Sequence, residues 1–455
     1  MTYEAIDPHT GRSLWRYATA TPDGLRAALE RSEEAFDSWR RAGLQDRARV
    51  LRGVAERLRS GSDEHARLMA TEMGKPLTAG RAEAEKCAWA CEYYAEHAEA
   101  FLADESAETD ATRSYVTYGP LGPILAIMPW NFPYWQVFRF AAPALMAGNT
   151  VLLKHASNVP GCAARLERLL LDAGLPDGCF QNLYLTNRQA GAVIRNRRVR
   201  AVTLTGSVKA GKAVAKQAGA HIKKTVLELG GSDPYLILED ADVEHAAAQC
   251  VHSRLVNSGQ SCIAAKRFIV VEPARERFVE AVVELMRSVR MGNPLDESTA
   301  VGPQAREDLR AVLDAQVRAS LAKGARCLLG GEIPGGPGWY YPPTVLVDVR
   351  KGMPAYREEL FGPVATILAV KDRTRAIEMA NDTSFGLGAA VFTADVDEGE
   401  RIARDELNAG CCFVNSTVHS DPRLPFGGIM DSGYGRELGR HGIHEFVNVK
   451  TVSVA

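Results

Sequence analysis

From Thr21 onward, apolar residues recur at helical spacing. Leu25, Ala28, Leu29, Ser32, Ala35, Phe36 and Trp39 share one face, and Thr21 ahead of Pro22 and Asp23 suits an N-cap. A second helix runs from Asp46 until Gly61 stops it. Glu72-Met-Gly-Lys-Pro76 breaks a third and opens a long helix rich in Ala and Glu, whose charges read as a solvated face; the helical pattern lasts to about Asp104. Ser106 to Tyr118 is polar, and Ser114-Tyr-Val-Thr-Tyr118 alternates as an extended segment does. Beyond Gly122 the period changes. Ile124–Met128, Thr150–Lys154, Gln181–Leu185, Ala201–Thr205 and Thr225–Leu229 are short apolar runs with helical segments between them, the signature of a parallel, doubly wound sheet. After Gly231 come Tyr235–Leu238, a helix from Asp242, and Arg267–Val271, which is short, apolar and β-branched and so predicts a buried strand. The alternation continues to about Phe413 as a second α/β domain.

At 455 residues the chain exceeds what one hydrophobic core serves, so two or more domains and a deep cleft between them are expected. The formal net charge of −2, with no long basic run, argues against a nucleic-acid or membrane surface and for a small-molecule partner. Nine cysteines at irregular spacing form neither a disulfide framework nor CxxC zinc pairs, so no metal is expected. Met1-Thr-Tyr-Glu-Ala-Ile-Asp-Pro8 lacks the regions of a signal peptide, and Pro, Gly or charge breaks every long apolar stretch. The expectation is a soluble, cytoplasmic protein.

One cysteine stands apart. In Val256-Asn-Ser-Gly-Gln-Ser-Cys262-Ile-Ala-Ala-Lys-Arg267, Cys262 lies among small and polar residues in the loop feeding a predicted strand, a place where a rigid element positions an accessible reactive group. A thiol of pKa about 8.5 is only a few per cent thiolate at neutral pH, so such a nucleophile needs a base or an electropositive setting. The sheet pattern carries no Gly-x-Gly-x-x-Gly; Gly206-Ser-Val-Lys-Ala-Gly211 stands at the corresponding strand-to-helix junction, where free N–H groups and the helix dipole attract pyrophosphate.

The Cys262 loop, together with Glu228-Leu-Gly-Gly-Ser-Asp-Pro234, Pro129-Trp-Asn-Phe-Pro133, Thr205-Gly-Ser207, Glu358-Glu-Leu-Phe-Gly-Pro363 and Pro425-Phe-Gly-Gly428, closely resembles the aldehyde dehydrogenase superfamily over nearly the whole length. The resemblance implies an α/β fold with a Rossmann-type cofactor domain (1–104 and 123–230), a catalytic domain (231–430), and a protruding β oligomerisation arm with its tail (105–122 and 431–455). The arm would combine Ser106–Tyr118 with Val447–Ala455 and leave exposed edges that need a partner, hence a homodimer or homotetramer. It implies Cys262 as nucleophile, Glu228 as general base, and the Asn131 amide beside the Cys262 N–H as oxyanion donors. Trp130, Gly206, Ser207 and Gly211 would line the pyrophosphate and nicotinamide path, Glu359 would bind the nicotinamide ribose, and Phe361 would pack by the ring.

Substrate and cofactor choice rest on particular residues. In Tyr134-Trp-Gln-Val-Phe-Arg139, residues Trp135, Phe138 and Arg139 can turn one face to a substrate tunnel, and an Arg in a mostly apolar helix calls for an anion, either a ligand's or an acid of the fold itself. Within the superfamily the chain is most similar to bacterial succinate-semialdehyde dehydrogenases, which share Arg139, the Lys154-His-Ala-x-Asn158 stretch and Ser420-Asp-Pro-Arg-Leu-Pro-Phe-Gly-Gly428. That implies non-acylating oxidation of succinic semialdehyde, with Arg139 on the far carboxylate, helped by Ser420 or His419. Some relatives carry an additional Arg where Val256 stands here, and Ala264 leaves no thiol beside Cys262. Lys154 and Ser157 replace a pattern in which Glu repels a 2′-phosphate, so NADP⁺ is expected to be preferred and NAD⁺ accepted, unless Ser157 only caps the next helix. Another aldehyde as substrate, a CoA-acylating dehydrogenase and a silent nucleotide-binding relative are the alternatives; the joint presence of Cys262, Glu228 and Asn131 speaks against the last two.

Overall fold

In the computed structural model, which describes residues 2–455, two sheets carry the molecule. The first runs in the order Gly433–Tyr434, Lys224–Glu228, Ala201–Thr205, Pro123–Met128, Thr150–His155, Phe180–Asn182. All its pairs are parallel except that of Gly433–Tyr434 with Lys224–Glu228. Strand order reverses between Pro123–Met128 and Ala201–Thr205, and a crevice at the carboxyl ends of such strands is where open α/β sheets bind ligands. Those ends lead directly into Trp130–Asn131 and Gly206–Ser207. The sheet is buried on both faces: Ile124, Ala126 and Met128 enter one apolar cluster and Leu125 the opposite one.

The second sheet runs Arg326–Leu329, Thr344–Val347, Val364–Val370, Arg267–Val271, Pro234–Ile237, Gly388–Phe392, Cys411–Val414, antiparallel only at Arg326–Leu329. Its five central strands are buried runs inside their own core cluster, as a sheet covered on both faces requires, while the edge strands Arg326–Leu329 and Cys411–Val414 are partly exposed. A third, three-stranded sheet sets Val447–Val454 antiparallel to Arg113–Pro120, with Glu105–Ala107 on the other side.

Local chemistry explains the helices. Pro22–Trp39 starts at Thr21, whose hydroxyl accepts from the Gly24 N–H at 3.1 Å. Leu44–Ser60 ends at Gly61, and Gly74, in the left-handed region at φ +79°, ends Ser62–Met73. The charges of the Ala- and Glu-rich helix Leu77–Phe101 are not all solvated. Glu83 is buried, ion-paired to the equally buried Lys75, and accepts from the N–H groups of Tyr134 and Trp135 at 2.8 and 2.9 Å. It thereby caps Trp135–Met146, the helix after Asn131, from another element. Glu72 does the same for Pro160–Asp172 through Gly161 and Cys162, both at 2.8 Å. A two-stranded hairpin, Thr2–Ile6 with Ser13–Ala18, precedes the first helix; the alternation that buries Tyr3 and Ala5 was its only signal.

Candidate active site

The loop carrying Cys262 lies between the two sheets and is held in an unusual conformation. Asn257 and Ser258 have φ of 53° and 58°, a region that disfavours side chains, and Gly259 follows at 77°. Glycine is required there, because an added Cβ would fall 2.2 Å from the Gly362 carbonyl carbon. Neighbours fix the strained pair. Asn257 donates from Nδ2 to the carbonyls of Asn131 and Gln260 at 2.7 and 3.1 Å, and the Ser258 hydroxyl accepts from the Gly302 N–H at 2.9 Å. Lys266, fully buried, donates to the carbonyls of Ser261, Cys262 and Ala264 at 3.0, 2.7 and 3.1 Å. The turn around Cys262 is therefore wrapped on one ammonium group.

Asn131 reaches this loop from the first sheet. Its Nδ2 donates to the Gln260 carbonyl at 3.1 Å, while its Oδ1 is buried without a partner. One amide hydrogen of Asn131 remains free two residues from Cys262 in the loop it grips, which suits an oxyanion donor. Burial pushes the Cys262 thiol up to about 12; Arg139 and Lys266 oppose the rise, and Glu359 and Glu228 add to it. The thiol is thus neutral at rest and needs a proton acceptor to react.

Glu228 ends its strand as a buried side chain whose Oε1 has no partner and points at Gly427. Burial holds it well above the usual carboxylate range, against the pull of Arg139 and with the push of Glu437. Among the described residues no hydrogen bond or ion pair joins Glu228 to Cys262. Arg139 itself is 2 % exposed and ion-paired to the buried Glu437, with its guanidinium 4.8 Å from the Phe426 ring centre and Nη2 donating to Thr205 Oγ1 at 3.3 Å. Of the two anions expected for Arg139, the fold supplies one in Glu437, while the side chain still lines the cavity. Phe138 departs from expectation, being packed in the core and away from the tunnel.

On the cofactor side the residues fit a dinucleotide. Gly206 would bring an added Cβ no closer than 3.6 Å to Leu204, so space stands open above it. Ser207 caps the helix Val208–Gly219 by accepting from the Ala210 N–H at 3.3 Å, which leaves its hydroxyl hydrogen for a phosphate at a helix N-terminus. Gly211 packs closely, since a Cβ there would strike the Leu229 side chain at 2.6 Å. Glu359 accepts from the Gly231 N–H at 3.1 Å, between the two sheets, and Phe361 meets Trp130 edge to face at 5.8 Å. Ser157 is exposed and does not cap: the next helix starts at Val159 without a side-chain cap. Lys154, three residues earlier, makes a 3.4 Å contact to the His155 carbonyl and lies 5.9 Å from the Tyr3 ring centre, and the Asn158 amide is buried with both ends unpartnered. A polar, partly unsatisfied turn of this kind suits a ribose phosphate.

A cavity of about 780 Å³ opens at Cys262, walled by Phe132, Trp135, Arg139, His419, Ser420 and Phe426 among others. Cys262 is the one cysteine lining it. Among the described residues, no group of three or more His, Cys, Asp or Glu is arranged to hold a metal ion, and no helix is long and apolar enough to cross a membrane.

The sequence profile described as the Aldehyde dehydrogenase family matches residues 1–452. The chain belongs to the aldehyde dehydrogenase family. It is 48 % identical, over the full length of both chains, to a Mycobacterium tuberculosis protein named succinate-semialdehyde dehydrogenase NADP(+) 1. It is 48 % identical to Escherichia coli succinate semialdehyde dehydrogenase NAD(P)+ Sad, over 98 % of this chain and 97 % of that one. Among solved structures, the succinic semialdehyde dehydrogenase from Streptococcus pyogenes in complex with NADP+ superposes with a TM-score of 0.97 at 39 % identity, covering 99 % of each chain.

Four residues of this aldehyde dehydrogenase site escaped sequence reasoning: Lys86, Lys266, Asn257 and Glu437. Lys266 is four residues past Cys262 and carried a local signal, a lysine inside an otherwise small and apolar turn. Lys86 and Glu437 come from distant segments and carried none.

Proposed function

We propose that the protein oxidises succinic semialdehyde to succinate without CoA, with NADP⁺ preferred and NAD⁺ accepted. The observation that carries this reading is that Cys262, on a loop pinned by Asn131 and Lys266, opens into a cavity of the protein. The names of relatives alike over the full length supply the aldehyde. A bound nicotinamide supplies the hydride acceptor. Cys262 Sγ adds to the carbonyl carbon to give a thiohemiacetal whose oxygen Asn131 Nδ2 and the Cys262 N–H stabilise; Glu228 takes the thiol's proton, passes it to solvent, and, once the hydride has left and Cys262 carries the acyl group as a thioester, takes a proton from the water that displaces Sγ and releases the acid. Glu228, buried and already raised, suits both transfers better than an ordinary carboxylate, whose basicity is lower.

NADP⁺ preference rests on the exposed Ser157 beside Lys154, with no carboxylate in that turn to repel a 2′-phosphate. The same reading assigns 1–104 and 123–230 to cofactor binding, 231–430 to catalysis, and 105–122 with 431–455 to the arm and tail, although Gly433–Tyr434 of that tail returns to the first sheet. The arm presents Val449 and Val454, 61 % and 41 % exposed, on the outer strand, which supports assembly into a homodimer or homotetramer in the cytoplasm. The test is formation of reduced cofactor from succinic semialdehyde with and without CoA. Equal rates and free succinate support the reading; a strict need for CoA would replace it with the acylating reaction.

A further inference from the structure

With Arg139 neutralised by Glu437, the cavity wall still holds one cation without an acidic partner. Lys86, on the helix Leu77–Phe101, lines the cavity, and its Nζ makes two contacts: it donates to Ser420 Oγ at 2.8 Å and lies 4.6 Å from the Trp135 ring centre. Among the described residues none of the ion pairs includes it. The neighbouring acids are otherwise engaged: Glu83 pairs with Lys75, and Asp421 pairs with Arg423. An ammonium group in a mostly apolar wall, satisfied only by a hydroxyl and an aromatic face, has donors left for an anion. Ser420, buried and itself on the wall, can turn its hydroxyl to the same anion.

We propose that Lys86, with Ser420, holds the remote carboxylate of the substrate while the aldehyde lies at Cys262. This rests on the acidic aldehyde proposed above and names the group that would select it. Lys86 is pulled down to about 8, first by burial and then by the nearby Arg139, against Cys87, Asp421 and Glu83. It is therefore charged below pH 8 and loses its charge, and with it the anion, as pH rises through that value.

The experiment compares kcat and KM for succinic semialdehyde and butanal in wild type, Lys86→Met and Lys86→Arg. Losing one charge-assisted contact to a carboxylate should raise KM for succinic semialdehyde by about 10–150-fold in Lys86→Met, with butanal little changed. Lys86→Arg should restore most of the preference. It should also abolish the rise in KM for succinic semialdehyde above pH 8 that wild type shows, because arginine stays protonated; titration of Cys262 or Glu228 would persist in that variant. Equal losses on both aldehydes, or none on either, overturn the assignment of Lys86 while leaving the substrate intact. A wild type that oxidises butanal as well as succinic semialdehyde overturns the acidic substrate itself.

Discussion

Replacing Arg139 by Met should damage stability before it damages recognition. The guanidinium is 2 % exposed, and its partner Glu437 is 3 % exposed, so removing the cation strands a carboxylate in a medium that does not solvate it. Breaking a buried pair in this way costs about 3–5 kcal/mol, against roughly 0–1 for an exposed pair such as Arg26–Asp23. At about 2–4 °C per kcal/mol for a domain of 150–250 residues, thermal unfolding should fall by roughly 6–20 °C. The double variant Arg139→Met, Glu437→Leu should recover most of that loss, since both charges leave together. The single variant should also recover as pH falls, because Glu437, already raised by burial, becomes neutral and no longer needs a cation. Differential scanning measurements on the two single variants and the double variant make the cycle. An Arg139→Met protein that unfolds with wild type but has lost its affinity for succinic semialdehyde would refute the reasoning and return Arg139 to the substrate.

Ser157→Glu should lower kcat/KM for NADP⁺ by about 10–150-fold, the worth of a charge-assisted contact turned into a repulsion, with NAD⁺ little affected; loss on both cofactors alike would show that the turn is structural. Glu228→Gln should slow turnover by about 10²–10⁴-fold without lowering the unfolding temperature, and should erase the acid limb of the pH profile. That limb belongs above the ordinary carboxylate range, because burial raises Glu228: activity should fall as pH drops through the raised value and the base is protonated. A pH profile identical to wild type would assign the proton transfer to another group.

What could be read from the chain alone was local. The five apolar runs from Ile124 to Leu229 became the parallel strands of the first sheet, although Gln181–Leu185 shortened to Phe180–Asn182. Cys262 stands in the loop before Arg267–Val271 because small residues and a β-branched run sit side by side in the sequence. Thr21, Gly61 and Gly74 marked helix ends by their own stereochemistry. The illegible part is the pairing of charges across long separations. Helical spacing shows that Glu83 and Lys86 lie on a helix, not that Glu83 turns inward to Lys75 or that Lys86 reaches Ser420. Arg139 announced the need for an anion, yet nothing in its neighbourhood named Glu437, which arrives from the last segment of the chain. Gly211, read as part of a phosphate turn, also meets the Leu229 side chain from the neighbouring strand end, a contact that sequence spacing does not reveal.

The account stands on Cys262 as the covalent nucleophile. The most direct measurement follows reduced nicotinamide and succinate formed from succinic semialdehyde by wild type and by Cys262→Ala, with binding of NADP⁺ to each measured in parallel. Wild type should release the two products in equal amounts, and the variant should lose turnover by several orders of magnitude while binding NADP⁺ as before. Turnover by Cys262→Ala approaching that of wild type would contradict the account.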